Sequence, residues 1–271
     1  MNFKFIIIVK MFFDYEPYYD IFHVAMISYI PIVFGLKYYM NNYISNTSRK
    51  YLCDILTLPW ASWCFSLSIF SMFGTYYTGK FLILDHYETD IKESDAFFWY
   101  NAFILSKIPE LFDTIFIVLR SKPLVALQWY HHIATLAFCY GTSYLQCDVF
   151  AYFFFMNYFV HMFMYFYFGL YCFHKSSFMR NIFGTFVNII QTIQMLFGTF
   201  IAFSIYINIE INKDIIRCVY IPDDKKINKI IYCAILMYIS YFVLFIQVYY
   251  DRSKRISKVN NENNEIKKKI D

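Results

Sequence analysis

Four short runs of this sequence hold the side chains with chemistry to offer. Lys107, Glu110, Asp113 and Thr114 lie in SKIPELFDT, and Gln128, His131 and His132 in LQWYHH. Asn157, His161 and Tyr165 lie in NYFVHMFMY, and Asn188, Gln191 and Gln194 in NIIQTIQ. Each run sits inside a strongly apolar stretch, where an ionisable side chain costs roughly 2.5–3.5 kcal/mol even on the lenient insertion scale. Such groups must face one another or a wet cavity rather than lipid. Lys107, Glu110 and Asp113 step by three and cover an arc of about 120° on a helix, with Pro109 among them to kink it or free a carbonyl. That trio reads either as a buried ion pair locking helices or as part of a site. Adjacent His131 and His132 invite three readings: metal ligands, an acid–base or nucleophilic pair, or polar glue between helices. The stripes Asn157/His161/Tyr165 and Asn188/Gln191/Gln194 each fit helix–helix hydrogen bonding. Their joint appearance on consecutive helices points to a converged polar site that includes a carboxylate.

The elements that must position these groups are membrane helices. The chain has 271 residues, of which 59% are hydrophobic and 24% aromatic, and its mean hydropathy is +0.41. Soluble domains average about 45–50% apolar. About 20 mostly apolar residues cross a bilayer, and seven stretches qualify as spans: 21–40, 55–77, 97–119, 124–143, 149–172, 183–207 and 229–250. The expected fold is therefore all-α, a polytopic membrane protein of one domain over residues 1–271. Residues 1–20 read as an interfacial lead-in, because the apolar run in MNFKFIIIVK is too short for a signal peptide. Residues 251–271 form a basic tail.

Lys and Arg set the orientation. Arg252, Lys254, Arg255, Lys258, Lys267, Lys268 and Lys269 crowd the tail, and Arg49, Lys50, Arg120, Lys122, Lys175 and Arg180 fill the odd-numbered loops. The tail and those loops are thus expected in the cytosol. The sequon Asn46-Thr47-Ser48 would then stay unglycosylated. Lys268 and Lys269, next to the end of the chain, match a di-lysine retrieval signal of endoplasmic reticulum membrane proteins. The net charge of +4 and the lack of a basic, aromatic-interleaved stripe exclude a nucleic-acid reader. The cysteines are odd in number and scattered without a CxxC pair, so neither a zinc site nor a disulfide framework is indicated; Cys147 and Cys218 fall in loops on one predicted side. Three histidines plus Asp113 have the donors for one zinc, but no HExxH spacing supports it, and no metal is expected.

In order and spacing, the four runs resemble the ELO family of very-long-chain fatty acid elongases, the membrane 3-ketoacyl-CoA synthases. SKIPELFDT is similar to the family's KxxExxDT motif, with VLRSKPL following. LQWYHH lines up with its HxxHH box, NYFVHMFMY with HxxMY, and NIIQTIQM with TxxQxxQ. FSMFG at 70–74 and YISYFVLFIQVYY at 238–250 extend the resemblance over nearly the whole chain from about residue 20. Two positions depart: Gln128 replaces the first His of HxxHH, and Asn188 replaces the Thr of TxxQxxQ. Glutamine can hydrogen-bond to a histidine but exchanges no proton near neutral pH.

The resemblance implies spans two to seven around a narrow acyl tunnel with the first span outside. It implies condensation of acyl-CoA with malonyl-CoA to a 3-ketoacyl-CoA, CO2 and CoA, with no cofactor beyond those substrates. On that reading His131 is the nucleophile, passing through an acyl-imidazole, and His132 and His161 are its catalytic neighbours. Asn157, Gln191, Gln194 and Tyr165 are candidate donors to an enolate oxygen, Gln128 supports a histidine, and Lys107, Glu110 and Asp113 organise the helix and help bind substrate. Tyr158 in NYFVH is closer to members acting on saturated and monounsaturated chains. Implied partners are membrane lipid and the 3-ketoacyl-CoA reductase, 3-hydroxyacyl-CoA dehydratase and enoyl-CoA reductase that complete the cycle. Two rivals are an inactive homologue serving as scaffold or lipid binder, motivated by Gln128, and a seven-helix receptor or channel.

Overall fold

The computed structural model describes residues 18–85, 89–143, 145–176, 178–211 and 224–270. Residues 1–17 of the expected lead-in at 1–20, Cys218, and Lys213, Asp214, Arg217 and Asp223 of the last loop lie outside these, and residues 18–20 open the first helix. The described residues are mainly helical and form no strand. Helices α1 (Tyr18–Tyr43), α3 (Thr57–Lys80), α4 (Ala96–Leu119), α5 (Ala126–Ser143), α6 (Phe150–Phe173), α7 (Gly184–Ile211) and α8 (Asp224–Ile270) fall on the seven apolar stretches.

An eighth helix was not expected. Helix α2, Asn46–Ile55, covers the polar run NTSRKYLCDI, where hydropathy suggests only a loop. Ser45 caps it, its hydroxyl accepting the Ser48 N–H at 3.1 Å, which satisfies one of the first-turn donors. Helices α2 and α3 meet at a 42° bend. Pro59 has no N–H to offer the Ile55 carbonyl, and Thr57 Oγ1 instead bonds the Cys53 carbonyl at 2.9 Å, the usual ingredients of a kink.

Among the described residues, four helical stretches are long and apolar enough to cross a membrane: Asp20–Tyr43, Phe150–Phe173, Met179–Ile207 and Ile227–Tyr250. The bent pair Asn46–Ile55 with Thr57–Asp85 makes a fifth. That is fewer than the seven spans expected. Helices α4 and α5 fall short because they carry Lys107, Glu110, Asp113 and the histidine pair. Outward faces of the passing helices hold bare apolar side chains, with Ile27 75%, Phe200 68% and Leu236 67% exposed, a surface suited to lipid rather than water.

Packing closes a ring. Helix α3 lies against α4, α4 against α5, α5 against α8, α8 against α7, α7 against α6, and α6 back against α3. Helix α1 stands outside it, on α4 and α5, where Phe34 meets Trp129 edge-on at 5.7 Å and Tyr29 bonds Thr114 at 2.8 Å. The most extensive contact, α3 on α6, has Gly74 so close to Tyr158 that a Cβ there would overlap the ring. Gly198 of α7 meets Tyr238 of α8 in the same way. Small residues are what let membrane helices approach this closely.

Helix α4 runs unbroken through Pro109. It ends with Ser121 in the left-handed region at φ 53°. The Ser121 N–H donates to the Val118 carbonyl and the Lys122 N–H to that of Ile117, at 2.9 and 3.0 Å, a Schellman cap that fixes Lys122 at the end of the bundle. In the turn before α6, Cys147 is disulfide-bonded, whereas Cys53, Cys64, Cys139, Cys172 and Cys233 are free. The tail continues α8 as helix to Ile270, with Lys268 and Lys269 in its last turn.

Candidate active site

The polar arc of α4 faces inward: Lys107, Glu110, Asp113 and Thr114 are all buried. Lys107 Nζ donates to both oxygens of Glu110, at 2.7 and 3.0 Å, and to Asn157 Oδ1 of α6 at 2.9 Å. It also lies 4.0 Å over the Phe103 ring. Ser106 Oγ adds a 3.0 Å bond to Glu110. An ammonium only donates, so Lys107 holds the Asn157 amide with its oxygen toward α4. Asn157 Nδ2 is thereby turned to His161 Nε2, 3.2 Å away. With Nε2 accepting, His161 keeps its proton on Nδ1, which faces Glu110 Oε2 at 3.9 Å. One lysine on α4 thus sets the tautomer of a histidine on α6.

Asp113 anchors a second branch. Its oxygens accept the Trp63 indole N–H at 2.6 Å and the Tyr165 hydroxyl at 2.5 Å, tying α3 and α6 to α4. Tyr165 stands edge-on against His161, 5.2 Å between centroids. On α5, the Gln128 amide nitrogen donates to His132 Nε2 at 2.8 Å, one helical turn away. Gln128 therefore acts as a hydrogen-bonding support for His132, a task that needs no proton exchange.

His131 is placed differently. Its ring lies 4.9 Å from that of Tyr241 on α8 and 6.4 Å from that of His161. Among the described residues neither of its ring nitrogens has a hydrogen-bond partner. Tyr241 donates to the His131 carbonyl at 3.2 Å and bonds Thr135 at 2.8 Å, so it steadies the helix that carries the imidazole.

A cavity of about 440 Å³ opens onto these groups. His131, His132, His161, Asp113, Gln128, Asn157, Tyr165, Asn188, Gln191 and Gln194 all line it. Lys107 and Glu110 do not; they stand behind Asn157 and His161 as their support. Arg120, Lys122 and Lys175 also line the cavity, and Arg120 lies 5.7 Å over the Trp60 ring. Beyond His131 a much smaller space of about 20 Å³ continues between α4, α5, α6, α7 and α8, walled by Phe103, Phe138, Phe153, Phe154 and Tyr238. Arranged so, an unencumbered imidazole meets amide donors on two helices at the floor of an apolar cavity with a cationic rim. That set can accept an acyl group and stabilise an oxyanion.

Trp63, Thr135 and Tyr241 also bond into the site but belong to none of the four motif runs. Each is a polar-tipped residue inside an apolar helix, which needs a partner when buried. That need is their signal in the sequence.

The GNS1/SUR4 family profile (ELO) matches residues 16–261. Very long chain fatty acid elongase 6 of Gallus gallus is 33% identical over 237 residues, covering 82% of this chain and 80% of that protein. Its Homo sapiens counterpart is 32% identical over 239 residues with the same coverage. Very long chain fatty acid elongase 4 of Trypanosoma cruzi is 32% identical over 209 residues, 70% of this chain and 67% of its own length. With its motif residues lining one cavity or standing directly behind it, and its sequence matched from end to end of the helical bundle, this chain belongs to the ELO (GNS1/SUR4) family.

Proposed function

We propose that this protein is a condensing enzyme of fatty acid elongation, a 3-ketoacyl-CoA synthase that joins an acyl-CoA to malonyl-CoA. The observation that carries this reading is His131, whose ring nitrogens have no hydrogen-bond partner among the described residues and whose imidazole lines the cavity beside Asn157, Gln194 and His161. A neutral imidazole in a dry site is a competent acyl acceptor. Its nitrogen attacks the thioester carbon, the C–S bond breaks, and CoA leaves as the thiolate that takes up the proton given up by the ring. Malonyl-CoA then loses CO2, and the C–C electron pair forms an enolate that attacks the acyl carbon and expels the ring as imidazolate, which takes a proton from water to restore the neutral imidazole. Asn157, Gln191 and Gln194 serve as donors to the developing oxyanion, while Tyr165, whose one O–H goes to Asp113, steadies that carboxylate instead. Gln128 orients His132, while Lys107, Glu110 and Asp113 hold the donors and His161 in place. No cofactor takes part beyond the two CoA substrates.

In this reading all seven long helices span the membrane, α3 to α8 enclose an acyl tunnel, and the fatty chain runs past His131 toward the aromatic wall. Saturated or monounsaturated chains are the favoured substrates. Arg120, Lys122 and Lys175 receive CoA phosphates from the cytosol. The enzyme resides in the endoplasmic reticulum through its di-lysine end, with the reductases and dehydratase of the cycle acting next on its product.

Purified protein given labelled malonyl-CoA and a series of acyl-CoAs should yield labelled 3-ketoacyl-CoA and CO2. Total absence of product at every chain length would sink the proposal in favour of a scaffold or lipid-binding homologue. His131→Ala should abolish turnover with the fold intact. Gln128→His should leave turnover unchanged or raise it, since either side chain can support His132; a large loss would show that this chain needs the amide itself.

A further inference from the structure

A second cavity, about 420 Å³, lies at the same end of the bundle as the cationic rim of the first and shares Lys122 with it. Lys37 of α1 and Arg49 of α2 complete its charged lining, with Ser121 and Asn41 beside them. No ion pair joins any of the three cations to a carboxylate among the described residues. Arg49 Nε is buried and, among the described residues, has no hydrogen-bond partner. Three like charges around one hollow repel, and a buried guanidinium nitrogen without an acceptor is unfavourable. A phosphate oxygen would relieve both, and arginine with lysine is the pairing that phosphate groups select. Lys122 is held in place for this by the backbone bonds of the α4 cap.

We infer that the Lys37–Arg49–Lys122 pocket binds a phosphate group, separate from the groups handled at the rim of the first cavity. Two sources present that chemistry here. One is a remote phosphate of a CoA substrate, reaching over Lys122 from the first cavity; this source rests on the function proposed above. The other is the headgroup of an anionic membrane lipid, on the face that the Lys/Arg bias assigns to the cytosol.

The test reads binding rather than turnover, so a catalytically dead chain would still respond. Full-length protein is reconstituted in nanodiscs of phosphatidylcholine, with and without phosphatidic acid. Its affinity for CoA and for dephospho-CoA and its thermal midpoint are measured for the parent, Lys37→Gln, Arg49→Gln and Arg49→Lys, with Lys92→Gln, outside both cavities, as control. If CoA supplies the phosphate, Arg49→Gln weakens CoA binding by about tenfold and leaves dephospho-CoA unaffected. If lipid supplies it, CoA binding is unchanged and the stabilisation given by phosphatidic acid disappears in Arg49→Gln. Arg49→Lys keeps the charge and removes the fork, so it should fall between parent and Arg49→Gln. The inference is overturned if the parent neither distinguishes CoA from dephospho-CoA nor responds to phosphatidic acid. It is overturned equally if Lys37→Gln and Arg49→Gln match the control in both arms.

Discussion

At the scale of single residues, Lys107 has the widest reach. Its ammonium neutralises Glu110, fixes the Asn157 amide and, through that amide, decides which nitrogen of His161 carries the proton. Removing one partner of a buried pair is expected to cost about 3–5 kcal/mol, because the other charge is left uncompensated. Lys107→Met should therefore lower the thermal midpoint of the purified protein sharply. The double variant Lys107→Met/Glu110→Gln should recover much of that loss, giving a strong non-additive coupling in a double-mutant cycle. Additive losses would mean that the two side chains act independently, contrary to the geometry. This network is legible in the sequence because ionisable groups in an apolar run have few tolerable environments. Trp63 and Tyr241 are not. In a chain with 27 tyrosines and 24% aromatic residues, a single indole or phenol in a helix carries no local mark of what it bonds to.

At the scale of elements, the helices were readable from their apolar stretches and their joints were not. Helix α2 is polar, so hydropathy missed it; the Ser45 cap was its only sequence signal, and the bend at Pro59 follows from backbone hydrogen bonding rather than composition. Which helices would touch was equally hidden, since it depends on where small side chains stand opposite large ones. Gly74 and Tyr158 show how such a contact reaches the site. Tyr158 packs edge-on against Phe103 at 5.0 Å, and Phe103 in turn lies under the Lys107 ammonium. An added methyl at Gly74 would push the Tyr158 ring toward that network. Gly74→Ala should destabilise by about 1–3 kcal/mol, the usual cost of overpacking, read as a lower thermal midpoint. A midpoint equal to the parent's would show that α3 and α6 separate freely and that their close approach is not required.

At the scale of the whole molecule, the closed ring α3–α4–α5–α8–α7–α6 resolves why α4 and α5 read as poor spans. Hydropathy judges each helix as though it faced lipid alone, and on that test α4 fails through Lys107, Glu110 and Asp113. Inside the ring those groups meet Asn157, Trp63 and Tyr165, so the insertion cost that applies to isolated charges does not apply to the assembled bundle. The ring also leaves α1 outside, where it needs only an apolar face and the Tyr29–Thr114 bond. On the proposed reading, α4 crosses the membrane because of its neighbours. Lys92 lies before α4 and Lys122 after it, and both are exposed; Lys175 follows α6 and is exposed as well. Single cysteines at these three positions, read against the parent chain in sealed microsomes, report the crossing directly. An impermeant maleimide should label Lys122→Cys and Lys175→Cys from outside and reach Lys92→Cys only after detergent. Labelling of Lys92→Cys and Lys122→Cys from the same side would show that α4 turns back within the membrane. The polar network would then line a re-entrant hairpin rather than the wall of a tunnel.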